Sequence, residues 1–144
     1  MVGCDHATKR AAELHLGGQR VVELIPGVLD LRYTRNHDIA FHLMRWFAGP
    51  GRLPVLIGVP CIALVALTVA WWRRRYAPRA EQAAYALIMA GAAGNLIDRV
   101  LRGFVVDFIY LHYWPVFNVA DMAVVGGAVL LAWSWWRQPA PTSV

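Results

Sequence analysis

Twenty consecutive residues, Leu53 to Trp72, carry no charge. At about 1.5 Å of rise per residue, a helix of that length spans about 30 Å, the thickness of the hydrocarbon core of a bilayer. Pro54 and Pro60 are tolerable in such a span at the cost of a kink. A 144-residue chain built around this segment is a membrane protein first and anything else second. The chain is 58% hydrophobic and 16% charged, against about 45–50% and about 25% in soluble domains. A mean hydropathy of +0.43 agrees. A soluble enzyme, a disordered chain and a DNA-binding module are all disfavoured. The net charge of +5 is placed to suit a membrane, and no nucleic-acid partner is expected.

Two further spans are expected, Glu81 to Val100 and Phe117 to Trp136. Gly91, Ala92, Ala93 and Gly94 would let a neighbouring helix approach closely. Trp71, Trp72, Trp133, Trp135 and Trp136 mark interfacial belts. Arg73, Arg74, Arg75 and Arg79 crowd one short loop, and Arg137 follows the last span. The positive-inside rule puts both in the cytoplasm, with residues before Leu53 and between Val100 and Phe117 outside.

Residues 1–16 read as a helix too short and too polar to cross, and lack the apolar core of a signal peptide. Around Pro26-Gly27, a turn pair, Leu29, Leu31 and Tyr33 alternate with Asp30, Arg32 and Thr34, which predicts a small external β-structure. The last residues, PAPTSV, read as disordered. Cys4 and Cys61 make neither a disulfide scaffold nor a metal site. The five histidines have no ligand spacing, so no metal is expected.

Ionisable groups near a span are costly unless paired or functional. Asp5-Thr8-Lys9 and Asn95-Asp98-Arg99 share i, i+3, i+4 spacing, and Asn118-Asp121 is i, i+3, so each set projects from one helix face. Each has a plain reading: an interfacial ion pair for Asp98-Arg99, a solvated helix start for Asp5-Lys9, an N-cap for Asn118 with Asp121 complementing the helix dipole. Jointly these readings weaken, because the expected topology puts all three sets at one depth near the outer surface. Asp107, set between apolar neighbours in VVDF, is expected to be buried there too. Two carboxylates held close in a partly apolar site share a proton, giving a base and an acid together. That permits water-activated peptide hydrolysis, or a proton relay.

The motifs discriminate. DHATK (5–9) resembles D-x-x-[ST]-K, GNLIDR (94–99) resembles G-N-x-x-D-R, VVDF (105–108) and FNVAD (117–121) resemble V-V-D-F and F-N-x-A-D, and IPGVLDLRYTRN (25–36) resembles a P-G-x-[FL] segment ending in Asn. In that order they resemble lipoprotein signal peptidase (signal peptidase II), over nearly the whole chain. The resemblance implies a bacterial inner-membrane aspartyl endopeptidase, with no metal or other cofactor, its site near the outer (periplasmic) face. It would cut prolipoproteins just before a diacylglyceryl-bearing cysteine and be inhibited by the cyclic peptide globomycin.

It also implies site roles. Asp107 and Asp121 would be the catalytic dyad, with base and acid unassigned. Asn118 would orient them or bind substrate backbone. Asn95, Asp98, Arg99, Asp5, Lys9, Asn36 and Ala120 would support the site or bind substrate. The implied fold is mainly α: three full spans, a shortened first helix (1–16) and an external β-cradle (21–50), as one domain over 1–144. A monomer in contact with membrane lipid is expected.

Two departures stand out. Family members carry about fifteen further apolar residues before the first motif, whereas four residues precede Asp5 here. Asp38 and Ile39 also replace a Gly and an Ala of the family pattern, so an altered globomycin response is expected. The competing readings are an impaired relative that binds lipobox peptides without cutting, and a small transporter or proton relay. The latter would need polar residues through the full membrane depth.

Overall fold

The computed structural model describes residues 1–18, 20–37 and 52–137. Asp38 and Ile39, the rest of the expected cradle up to residue 50, and the PAPTSV tail lie outside the described residues. The elements run α1 (Val2–Leu16), β1 (Val21–Ile25), β2 (Leu29–Asn36), α2 (Arg52–Arg73), α3 (Arg79–Arg102), β3 (Val105–Leu111) and α4 (Val119–Trp136). Among the described residues, three stretches are long and apolar enough to cross a membrane: Pro54–Arg73, Arg79–Arg102 and Val119–Trp136.

Helix limits differ from the expected spans by a few residues, for local reasons. Pro78 caps the start of α3, so the helix begins at Arg79. Gly103 ends it at φ 74, a left-handed conformation that glycine adopts without strain, its N–H donating to the Arg99 carbonyl. The last helix begins at Val119 because Asn118 caps it: Asn118 Oδ1 accepts from the Asp121 N–H, and Asp121 Oδ2 accepts from the Asn118 N–H. The expected N-cap is therefore present.

α3 and α4 pack closely at their glycines. A Cβ on Gly91 would overlap the Ala120 carbonyl oxygen, and one on Gly127 would meet Ile88 and the Ala84 carbonyl. Such small-residue contacts are how membrane helices approach. α1 buries Asp5, Lys9, Ala12 and Leu16, one stripe that is charged in its first half and apolar in its second. The apolar half joins Phe108 and packs against Leu31, Tyr33, Ile109 and Val119.

The sheet has order β1-β2-β3, antiparallel throughout. The β1–β2 turn forms at Pro26-Gly27, with Gly27 at φ 69. The third strand adds to the expected β-structure. Val105, Val106, Asp107 and Phe108 are all buried, so both faces are covered and the alternation that marks a half-buried strand is missing.

Candidate active site

Two local features set Asp107 among its neighbours. On β2 an extra residue intrudes between Leu31 and Thr34, leaving Thr34 opposite Asp107 and Asn36 opposite Val105. Asn36 and Asp107 thus become diagonal neighbours on one face, and Asn36 Nδ2 donates to Asp107 Oδ2 at 2.8 Å. Beyond β3 the chain turns back. Phe117 exchanges both backbone hydrogen bonds with Ile109, at 2.9 and 3.0 Å. That return lays Asn118 beside Asp107.

Asn118 is fully buried and joins the two acids. Its Nδ2 donates to Asp107 Oδ1 at 2.7 Å and to Asn95 Oδ1 at 3.1 Å, while its Oδ1 caps α4 at the Asp121 N–H. Asn95 Nδ2 donates to Asp121 Oδ1 at 2.7 Å. Each acid therefore accepts one donor on each oxygen. Asp107 is 2% exposed, whereas Asp121 is half-buried. Burial pushes the Asp107 carboxyl up to about 6; the Asn36 hydrogen bond opposes this and the charge of Asp121 adds to it.

Behind the acids lies a buried ion cluster. Lys9 Nζ meets Asp5 Oδ2 at 2.7 Å, Asp98 Oδ2 at 2.8 Å and Asn95 Oδ1 at 2.9 Å. All three ammonium hydrogens are engaged. Asp5 Oδ1 accepts the Ala120 N–H at 3.0 Å, satisfying an orphan donor at the positive end of α4. Gly94 makes room, since a Cβ there would strike Asp5 Oδ2. Arg99 is half-buried, and its Nη1 donates to the Asn95 carbonyl at 3.3 Å.

The residues singled out from sequence, Asp5, Lys9, Asn36, Asn95, Asp98, Arg99, Asp107, Asn118, Ala120 and Asp121, thus converge on one end of the bundle. Thr8 does not join them. Its hydroxyl donates back to the Cys4 and Asp5 carbonyls, at 3.0 and 2.9 Å. Two further participants are not marked by the motifs. Arg102 approaches Asp98 at 3.6 Å and Glu13 at 3.1 Å; its i+4 spacing from Asp98 is the available signal. The second is a cleft of about 440 Å³ lined by Leu111, Trp114, Phe117, Met122, Val125 and Gly126, with Asp121 at its edge. Its lining falls within residues 111–126, but on a strand end, a loop and a helix, so no single periodicity announces it.

Three apolar helices with two hydrogen-bonded acids at one end, Asp107 buried and Asp121 half-buried, define a multi-pass membrane protein with the means for acid–base chemistry. The profile of the family described as Signal peptidase (SPase) II matches residues 1–137. A lipoprotein signal peptidase of Geobacter metallireducens is 37% identical over 132 residues, covering 89% of this chain and 80% of the relative. One from Syntrophomonas wolfei is 44% identical over 108 residues, covering 75% and 68%. A bacterial membrane enzyme structure solved by the in meso method superposes with a TM-score of 0.78 at 31% identity, covering 99% of this chain and 86% of that one. The chain belongs to the signal peptidase II family, and it is a peptidase.

Proposed function

We propose that this chain removes the signal peptide from diacylglyceryl-modified prolipoproteins, cutting before the lipid-bearing cysteine, with Asp107 and Asp121 as an aspartyl dyad. The observation that carries the reading is Asn118, which touches both acids and fixes them relative to each other. Asp107, raised to about 6 by burial, is the partner that holds the shared proton. Asp121 takes a proton from water, and the resulting hydroxide adds to the scissile carbonyl while Asp107 protonates its oxygen. Collapse of the tetrahedral species breaks the C–N bond; Asp121 passes the proton from water to the leaving amine, and the hydroxyl that re-forms the carbonyl returns its proton to Asp107.

Asn36, Asn95 and Asn118 hold the acids, and Lys9 with Asp5, Asp98 and Arg102 braces them. The apolar cleft at Asp121 suits an apolar portion of the substrate, lying beside the acids and facing lipid. Arginine placement supports an inner-membrane protein whose site opens on the outer face. The carboxylates at one end, beside a charge-free α2 interior, disfavour a transport path.

The test is a gel-shift cleavage assay in detergent on a diacylglyceryl-modified prolipoprotein. Wild type cuts before the lipid-bearing cysteine; Asp107→Asn and Asp121→Asn each lose about 10²–10⁴-fold, the worth of a positioned acid or base. Cleavage surviving either substitution overturns the dyad. A folded wild type that binds the substrate without cutting is the impaired relative instead.

A further inference from the structure

The opposite end of the bundle carries a second built feature. Between α2 and α3, Arg73, Arg74, Tyr76, Ala77 and Pro78 line a cleft of about 310 Å³. The loop is held in shape. Arg74 makes a two-pronged pair with Glu81, at 2.7 and 3.0 Å, and Glu81 is fully buried. Gln82 Nε2 donates to the Arg74 carbonyl at 2.6 Å, and Trp71 Nε1 donates to Gln82 Oε1 at 2.6 Å. Arg75 lies over the rings of Trp72 and Tyr76, at 5.1 and 4.6 Å.

Arg74 is neutralised. Among the described residues, Arg73 and Arg79 meet no acid, and both are exposed. The cleft therefore presents the uncompensated Arg73 guanidinium and an exposed tyrosine, with Arg79 next in sequence to its Pro78 wall, on a preorganised loop, which lowers the entropy a ligand must give up on binding. It also sits where two spans end, Pro54–Arg73 and Arg79–Arg102, which is headgroup depth. Basic pockets between membrane helices suit anionic headgroups, and Arg matches phosphate in a two-pronged way.

We propose that this cleft binds the phosphodiester headgroup of an anionic phospholipid, in the leaflet opposite the acid cluster. Acyl chains would continue along the apolar, lipid-facing surface of α2, where Ile62, Val65 and Val69 are exposed. The proposal is independent of the peptidase chemistry.

The test is native mass spectrometry of the full chain in detergent, supplied with equal phosphatidylglycerol and phosphatidylcholine. Wild type retains phosphatidylglycerol selectively. In the Arg73→Gln, Arg79→Gln double variant that preference falls about thirtyfold, at roughly fivefold per arginine. Arg137→Gln, which removes a charge beside the last span, leaves it unchanged, and millimolar inorganic phosphate does not displace the lipid. Unchanged preference in the double variant overturns the site. An equal loss in Arg137→Gln overturns it in favour of diffuse charge, and displacement by phosphate overturns the lipid assignment. Arg74 is left intact because Glu81 depends on it; should the double variant fail to stay monodisperse, Arg73→Gln alone is read, with a roughly fivefold loss expected and no loss overturning the site.

Discussion

Asn118 satisfies three groups with one amide: Asp107, Asn95 and the first turn of α4. Asn118→Ala therefore removes a cap worth about 1 kcal/mol and leaves Asp107 short of a buried donor, a further loss of about 1–3 kcal/mol. Activity falls more than stability, because the acids lose their common tether; kcat at saturating substrate and thermal unfolding in detergent separate the two. Asn118→Asp keeps the cap but offers Asp107 a carboxylate instead of a donor, so it retains stability better than activity. The proton on Asp107 gives a second handle. A carboxyl is protonated below its pKa, so the general acid proposed at Asp107 is present at low pH and lost as pH rises through about 6. The alkaline limb of kcat/KM, which reports the free enzyme, is expected near that value. Bound substrate excludes water and raises the carboxyl further, so the limb of kcat lies higher. A kcat/KM limb no different in Asn36→Ala, which lacks the opposing hydrogen bond, would count against Asp107 as the titrating group.

At the scale of elements, α4 presents different faces to its surroundings, and its glycines report them. Gly127 sits against Ile88 and the Ala84 carbonyl, as Gly91 of α3 sits against Ala120 and Val124. Gly91→Ala is expected to force α3 and α4 apart, at about 1–3 kcal/mol for overpacking, seen as a lower unfolding temperature. Gly126 lines the cleft beside Asp121, and a Cβ there meets nothing within 4 Å. Gly126→Leu leaves the unfolding temperature in place and fills the cleft, so KM rises about tenfold for the lipidated substrate, the scale set by a buried methylene or two. An unchanged KM would place the substrate elsewhere. The joint between α1 and α3 is electrostatic. Lys9→Met strands Asp5 without its counter-charge, leaves Asp98 to Arg102 at 3.6 Å, and costs about 3–5 kcal/mol, read as loss of the folded form on size exclusion or in thermal unfolding.

For the molecule as a whole, the topology has a direct check, made in a chain whose Cys4 and Cys61 are replaced by serine and alanine. A thiol reagent added outside whole cells labels Tyr113→Cys, whereas Tyr76→Cys reacts only after lysis. Both positions are well exposed, at 98% and 88%, so burial does not confuse the result. The spans are legible in the sequence because a bilayer demands one long apolar run, and Leu53–Trp72 supplies it without interruption. The acid cluster is legible because i, i+3 and i+4 spacing puts the polar members of each set on one helix face; Asn95 and Asp98 show it by both reaching Lys9. Strand β3 is not, since burial on both faces erases its alternation, and neither is the cleft at Gly126, whose lining falls within residues 111–126 but is split between a strand end, a loop and a helix, so that no single periodicity marks it. The Lys9 cluster also has a consequence in time. α1 leaves the ribosome well before its partners: Asn95 lies 86 residues after Lys9, and Ala120 lies 115 after Asp5. At roughly 5–20 residues per second, Asp5 waits about 6–23 s for the helix end it will bind. During that wait Asp5 and Lys9, one turn apart, have chiefly each other, so the first of these helices to be synthesised is among the last to be seated.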